Sequence, residues 1–158
     1  MTFNMKYKIA ILLAFLILAG CGSAPLHNQN NQRFSNEQKQ KLVEAAKKYL
    51  GAPYRYGGKS IKGLDCSGFI IRVYAEALGI KLPRTAGDLH NISFQIKSVE
   101  AQTGDLVFFR TRSPQIDHVG MMINAYEFIH ASASNGVIIS NFKDDYYRKT
   151  FSGVRRLK

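Results

Sequence analysis

Cys66, His118 and His130 are the residues of this 158-residue chain whose types and spacing suggest covalent chemistry. Cys66 follows Asp65 in Gly63-Leu64-Asp65-Cys66-Ser67-Gly68-Phe69, a stretch that reads as the start of a helix. Unpaired N–H groups and the positive end of the helix dipole stabilise a thiolate there. The Asp65 carboxylate acts the other way, so a second activator is needed, and a histidine is the usual one. His118 opens His118-Val119-Gly120-Met121-Met122, and His130 lies in Phe128-Ile129-His130-Ala131. A tight hairpin near Asn124-Ala125 places His118 opposite Ser132 and His130 opposite Gly120. The two imidazoles then share one face as diagonal neighbours, roughly 7 Å apart at the backbone. A register change of one residue would separate them. This arrangement suits His118 as a general base and His130 as the group that orients it. The Cys66 N–H at a helix start can serve as one donor to an oxyanion. The plainer alternative is a buried structural Cys with ordinary structural histidines. Zinc is a third reading, but three separated ligands without a C-x-x-C pair make a poor metal site. His27 and His90 carry no assigned role.

The elements that must position these groups follow from the apolar pattern. Ser35-Asn36-Glu37-Gln38 has the form of a capping box, which predicts a helix to about Leu50 with Leu42, Val43, Ala46 and Leu50 on one face. Gly51 is its stop. Pro53 to Gly63 reads as a glycine-containing loop. A second helix runs from Asp65 or Cys66 to Gly79 and buries Phe69, Ile70, Val73 and Leu78. Thr85-Ala86-Gly87-Asp88 marks a short third helix. Strands are predicted at Ile96–Val99 and Leu106–Arg110, then in a meander at Val119–Asn124, Glu127–Ser132 and Gly136–Asn141. Lys143–Thr150 reads as a short helix, and Gly153–Leu157 as a closing strand. Helices first and antiparallel strands after define an α+β domain.

Composition sets wider bounds. A content of 46% hydrophobic, 21% charged and 11% aromatic residues fits one globular domain. It excludes a collagen, a disulfide-dense mini-protein and a multi-span membrane protein. Against 22 Lys and Arg stand 11 Asp and Glu, a formal charge of +11 that favours an anionic partner such as nucleic acid, anionic lipid or an acidic polymer. The N-terminus narrows that choice. Lys6 and Lys8 precede an uncharged apolar run from Ile9 to Ala19, too short as a helix for a bilayer core of about 30 Å. It fits a signal-peptide h-region, and it ends in Leu18-Ala19-Gly20-Cys21, which resembles a bacterial lipobox. Residues 1–20 are therefore expected to be a lipoprotein signal peptide, with Cys21 as the lipidation site. An ordinary secretory signal ending near a Cys is the alternative. Residues 21–34 form the lipidated Cys and a flexible Asn/Gln/Ser-rich tether. Residues 35–158 form the catalytic domain. Outside the cytoplasm nucleic acid is a poor partner, and Cys66 is left as the sole thiol.

The motifs themselves match a family. Pro53-Tyr54-Arg55-Tyr56-Gly57-Gly58, the Asp65-Cys66-Ser67-Gly68 run, Leu82-Pro83-Arg84, Gly104-Asp105-Leu106-Val107-Phe108-Phe109, His118-Val119-Gly120 and Phe128-Ile129-His130-Ala131-Ser132 occur in family order and approximate spacing. Together with Arg155-Arg156 they resemble the NlpC family of papain-like cell-wall peptidases, in particular its small lipoprotein branch of NlpC/Spr-like murein endopeptidases. The resemblance covers about 36–158 and implies a papain-like domain with N-terminal helices packed on an antiparallel sheet. It implies Cys66 as nucleophile, His118 as general base and His130 as the orienting third residue. It implies substrate binding by Tyr54, Asp65, Ser67 and Arg84; for Arg84 a loop-anchoring role competes equally.

The implied activity is hydrolysis of peptidoglycan stem peptides through a Cys thiolate and an acyl-enzyme. The bond lies between γ-D-glutamate and the diamino acid, or in a crosslink. Neither a cofactor nor a metal is expected. The implied protein is a monomer, held by lipid on Cys21 (diacylglycerol and an N-acyl chain such as palmitate) at the outer membrane and facing the periplasm. A non-catalytic wall-binding lipoprotein and an acyl or amide transferase using the same triad are the rival readings. Thr85-Ala86-Gly87-Asp88-Leu89 and Ser93 depart from the family pattern. These changes leave the triad intact and alter the rim of the groove.

Overall fold

The computed structural model describes residues 34–158. The predicted signal peptide, Cys21 and nearly all of the tether lie outside the described residues. No helix among the described residues is long and apolar enough to cross a membrane.

Helix α1 (Asn36–Lys47) begins at a capping box. Gln38 N–H donates to Ser35 Oγ at 3.2 Å and Ser35 N–H to Gln38 Oε1 at 2.9 Å, so two otherwise orphaned donors are satisfied. The helix ends earlier than the apolar pattern predicts. A turn follows Lys47, placing Tyr49 in the core and leaving Leu50 45% exposed. Phe34, assigned by sequence to the tether, is buried in the same core, so the ordered domain begins at least one residue earlier than predicted.

The predicted 53–63 loop contains a two-residue hairpin, β1 (Lys59–Ser60) with β2 (Gly63–Leu64), followed by α2 (Cys66–Leu78). Gly79 caps α2 in the left-handed conformation at φ 68°. Helix α3 (Ala86–Asn91) starts at Thr85, whose hydroxyl accepts from Asp88 N–H at 3.0 Å.

The strands are β3 (Ser93–Ile96), β4 (Leu106–Phe109), β5 (His118–Met122), β6 (Glu127–Ser132), β7 (Gly136–Asn141) and β8 (Phe151–Leu157), with the short helix α4 (Asp145–Thr150) before β8. Together they form one antiparallel sheet in the order β3-β8-β4-β5-β6-β7. The closing strand is thus interior, between β3 and β4, and it begins at Phe151 rather than Gly153. Strand β3 also differs from the expected Ile96–Val99. Pairing with β8 fixes it at residues 93–96, and residues 98–100 turn into a 3₁₀ helix.

Alternation along β4 sends Leu106 and Phe108 to one face, and Val107 and Phe109 to the other. The first face carries the large core, packed on α1, α2 and α3 through Leu42, Phe69, Ile70, Val73 and Leu89. The second carries a smaller cluster of Ile96, Val107, Phe109, Met122, Phe128 and Val154, with Tyr147 of α4 against it. Both faces are therefore covered, which is why β4 reads as an unbroken apolar run. The last strand is tied in by a buried ion pair, Arg156 Nε to Asp105 Oδ1 at 2.7 Å. Arg155 instead bonds to Ser93, at 3.1 Å from Nε to Oγ.

Candidate active site

Helix α2 places Cys66 at its first position because Asp65 caps it. Asp65 Oδ1 accepts the Gly68 N–H at 2.7 Å, and Oδ2 accepts the Gly57 N–H at 2.9 Å. Arg84 closes on the same carboxylate, with Nη1 3.1 Å from Oδ1 and Nη2 2.5 Å from Oδ2; Nη1 also reaches Ser67 Oγ at 2.8 Å. Burial opposes the Asp65 charge, yet the Arg84 bonds and the two backbone donors together hold its carboxyl below the usual range. Asp65, Ser67 and Arg84 therefore bind one another at the start of α2.

The Cys66 side chain is buried and reduced. Burial pushes its thiol upward and the Asp65 charge adds to this, while N–H groups of Val119, Ser67 and Cys66 itself partly offset both. As the first residue of α2, Cys66 has an N–H with no acceptor inside the helix. Its Sγ lies 3.9 Å from the Asp117 carbonyl, at the very start of β5. The Asp117 side chain holds that approach in place by accepting from Thr111 N–H and Arg112 N–H, both at 2.7 Å.

His118 follows on β5. The observed pairing of Met121 with Ile129 and Met122 with Phe128 is the register predicted from the hairpin. It brings the imidazoles together, with His118 Nε2 2.8 Å from His130 Nδ1 and ring planes at 89°. Both rings lie on the side of the smaller cluster, His118 near Phe109 and His130 over Phe128. Gly120 makes room for this. A Cβ there would sit 2.6 Å from Phe128 Cδ2 and 3.3 Å from His130 Cβ. Burial lowers His118 to about 4, against Asp117 and helped by Arg112. Burial and the neighbouring His118 lower His130 to about 3. At neutral pH the resting groups are a thiol and two neutral imidazoles.

His130 has further partners that the sequence reading did not assign. Its Nε2 lies 3.1 Å from Ser140 Oγ on β7 and 3.2 Å from Tyr147 OH on α4. Strand alternation offered a signal for Ser140, which pairs with Phe128 two residues from His130. Nothing in the sequence points to Tyr147, because it arrives from a separate helix.

Of these groups His118, His130 and Tyr147 line a cavity of about 590 Å³, whose wall also includes Tyr54, Arg112 and Asp117. Cys66 meets this wall through Asp117. Of the four residues expected to bind substrate, Tyr54 lines the cavity, whereas Asp65, Ser67 and Arg84 do not. Among the described residues no group of three His, Cys, Asp or Glu is disposed to hold a metal ion. The arrangement therefore sets a buried thiol at a helix N-terminus beside the residue that precedes His118, with the paired imidazoles on the cavity.

Comparison with known proteins places this geometry. Residues 51–156 match the NlpC/P60 family. The chain is 39% identical to "Probable endopeptidase NlpC" of Escherichia coli K12, over 93% of this chain and 97% of that one. It is 38% identical to "Murein DD-endopeptidase MepS/Murein LD-carboxypeptidase" of the same organism, over 75% of this chain and 63% of that one. The chain thus spans less than two thirds of the latter. Among solved structures, a Staphylococcus aureus protein described as similar to a lipoprotein of the NLP/P60 family superposes with a TM-score of 0.71 at 36% identity. That superposition covers 78% of this chain and 42% of the other.

Proposed function

The chain belongs to the NlpC/P60 family, and from this membership and its paired imidazoles we propose that it is a cysteine peptidase hydrolysing peptide bonds of peptidoglycan. The observation that carries the reading is the 2.8 Å contact between His118 Nε2 and His130 Nδ1. It commits Nε2 and leaves His118 Nδ1 to take the Cys66 proton. The Sγ–H bond breaks, an Nδ1–H bond forms, and the thiolate attacks the amide carbonyl. The Cys66 N–H donates to the resulting oxyanion. His118 then gives its proton to the leaving amine, and water cleaves the acyl-enzyme. Tyr54 contacts the peptide in the cavity, while Asp65, Ser67 and Arg84 act by fixing the start of α2. The bond is either that between γ-D-glutamate and the diamino acid or one in a crosslink, the latter supported by the murein DD-endopeptidase among its relatives.

Lipid on Cys21 anchors the monomeric enzyme at the outer membrane, facing the periplasm, with residues 22–33 as tether. Gly22 rather than Asp follows the lipidated Cys, which supports outer-membrane sorting. Labelling with a fatty-acid analogue is expected to vanish in Cys21→Ser; equal labelling of the variant would refute the anchor. No cofactor takes part, so a chelator leaves the rate unchanged, and reversible loss restored by zinc would instead favour a metal enzyme. The principal test is digestion of purified peptidoglycan by wild type and Cys66→Ala, with mass spectrometry of the products. Wild type releases peptides whose new termini identify the bond, and Cys66→Ala releases none. Release of the same products by Cys66→Ala would overturn the nucleophile.

A further inference from the structure

The hydrogen-bond chain does not stop at His130. Its Nε2 meets two hydroxyls, and Ser140 Oγ donates onward to Tyr147 OH at 3.2 Å. We propose that Ser140 and Tyr147 are positioning residues whose hydroxyls accept the His130 Nε2–H and thereby set the proton order of both imidazoles. This inference rests on the roles proposed above for Cys66 and His118.

The argument is one of donors and acceptors. A neutral imidazole has one N–H and one lone pair, so the proton on one ring fixes that on its neighbour. If the hydroxyls accept, His130 carries its proton on Nε2, its Nδ1 accepts, and His118 carries its proton on Nε2. His118 Nδ1 is then a lone pair available to the thiol. If a hydroxyl donates instead, every proton shifts along the chain, and His118 Nδ1 carries a hydrogen that blocks it as a base. Once His118 has taken the Cys66 proton, only the first order survives. Both nitrogens of the imidazolium are donors, His130 Nδ1 must accept, and the His130 Nε2–H needs an acceptor.

At 1% exposure His130 has little access to water, so the two hydroxyls are the acceptors at hand. Ser140 Oγ and Tyr147 OH lie 3.2 Å apart, and Tyr147 lines the cavity, where it can send its own proton while it accepts. Among the described residues the partners of His130 are His118, Ser140 and Tyr147, with no carboxylate among them. The groups acting on His118 are Asp117 at its strand start, Arg112 from the preceding loop and His130 itself. None of these sets the His130 tautomer from its Nε2 side.

The test uses full-length Ser140→Ala, Tyr147→Phe, the double variant and Ser140→Thr. Tyr147→Phe keeps the ring that packs on Phe128 and Phe109. Because either hydroxyl can accept alone, each single loss is expected to lower kcat only about 3-fold, and the double loss about 30-fold, with KM little changed. Ser140→Thr keeps a hydroxyl and stays near wild type. In the double variant the acid limb of the kcat/KM profile moves to lower pH, since the His118 imidazolium is less stabilised. Alkylation of Cys66 by iodoacetamide near neutral pH slows in parallel. Nitrogen-15 NMR of the resting wild type should place the His130 proton on Nε2. A double variant with wild-type kcat and unmoved pH limbs, even if less stable, would overturn the proposal. A His130 Nδ1–H tautomer in the wild type would sink this inference alone, whereas turnover by Cys66→Ala would sink the functional reading beneath it.

Discussion

The start of α2 and the start of β5 adjoin where Cys66 Sγ approaches the Asp117 carbonyl at 3.9 Å, but they are held in opposite ways. At the first, one carboxylate gathers Gly57, Gly68, Ser67 and Arg84, and the ion pair with Arg84 closes at 2.5 Å. At the second, His118, His130, Ser140 and Tyr147 are joined by hydrogen bonds, and both imidazoles are held neutral by burial. Charge suits the first because a helix start that carries the proposed nucleophile must not move, and charge-assisted bonds are the strong, directional ones. Neutrality suits the second because a neutral imidazole can take up a proton and give it back, and a base must change its state in each turnover. In this site the immobile half is ionic and the half that titrates is not.

That contrast makes the two halves fail differently. The largest effects belong to the reacting atoms. Cys66→Ala is expected to abolish turnover, and His118→Ala to lower kcat by about 10³-fold or more, both with unchanged far-UV circular dichroism. His130→Asn should cost less, about 10- to 100-fold, because an amide can still bond to His118 Nε2. A dead His130→Asn beside an active His118→Ala would reverse the roles of the two imidazoles.

The ionic half should fail through stability instead. Asp65→Ala removes the α2 cap and strands Arg84 without its carboxylate, a loss of about 1–2 kcal/mol in denaturant unfolding. Asp65→Asn keeps a capping acceptor and should lose less. Neither is expected to move the acid limb of kcat/KM, which belongs to His118. A shifted limb in Asp65→Asn would mean that the two halves are electrostatically one unit, and the contrast drawn above would fall.

How far the site was legible follows from the range of the interactions. Caps and the hairpin are local, so the Ser35 box, the Asp65-Cys66 start and the register joining His118 to His130 could be read from nearby residues. Leu50 misled because its apolar spacing continues the α1 stripe after the chain has turned, and burial passes to Tyr49. The place of β8 between β3 and β4 depends on pairing across more than 40 residues, and no local pattern encodes it. Arg84 was read equally as a carboxylate binder and as an anchor. The fold satisfies it with Asp65 and Ser67, a result set by where α3 docks on α2. Tyr147 escaped notice for the same reason, since its partner His130 lies on another element 17 residues away.

Acid stability offers the smallest and most discriminating effect. His118 and His130 are buried neutral, with values lowered to about 4 and about 3, while an unfolded histidine titrates at about 6.5. Below that value the unfolded chain binds protons that the folded chain does not, so stability falls as pH drops from 6.5 toward 4. Asp65 works in a later window. Its carboxyl is held below the ordinary range when folded, so its contribution is complete above the unfolded value of about 3.9 and is lost only below it. Replacing His130 by Asn removes one of the two early titrations. Between pH 6.5 and 5.5 the variant should therefore lose about 1 kcal/mol less than wild type. Asp65→Asn should track wild type over that range and diverge only below about pH 4. Parallel curves for His130→Asn and wild type from pH 6.5 to 5.5 would show that His130 charges in the folded state, and the neutral character assigned to this half of the site would be wrong.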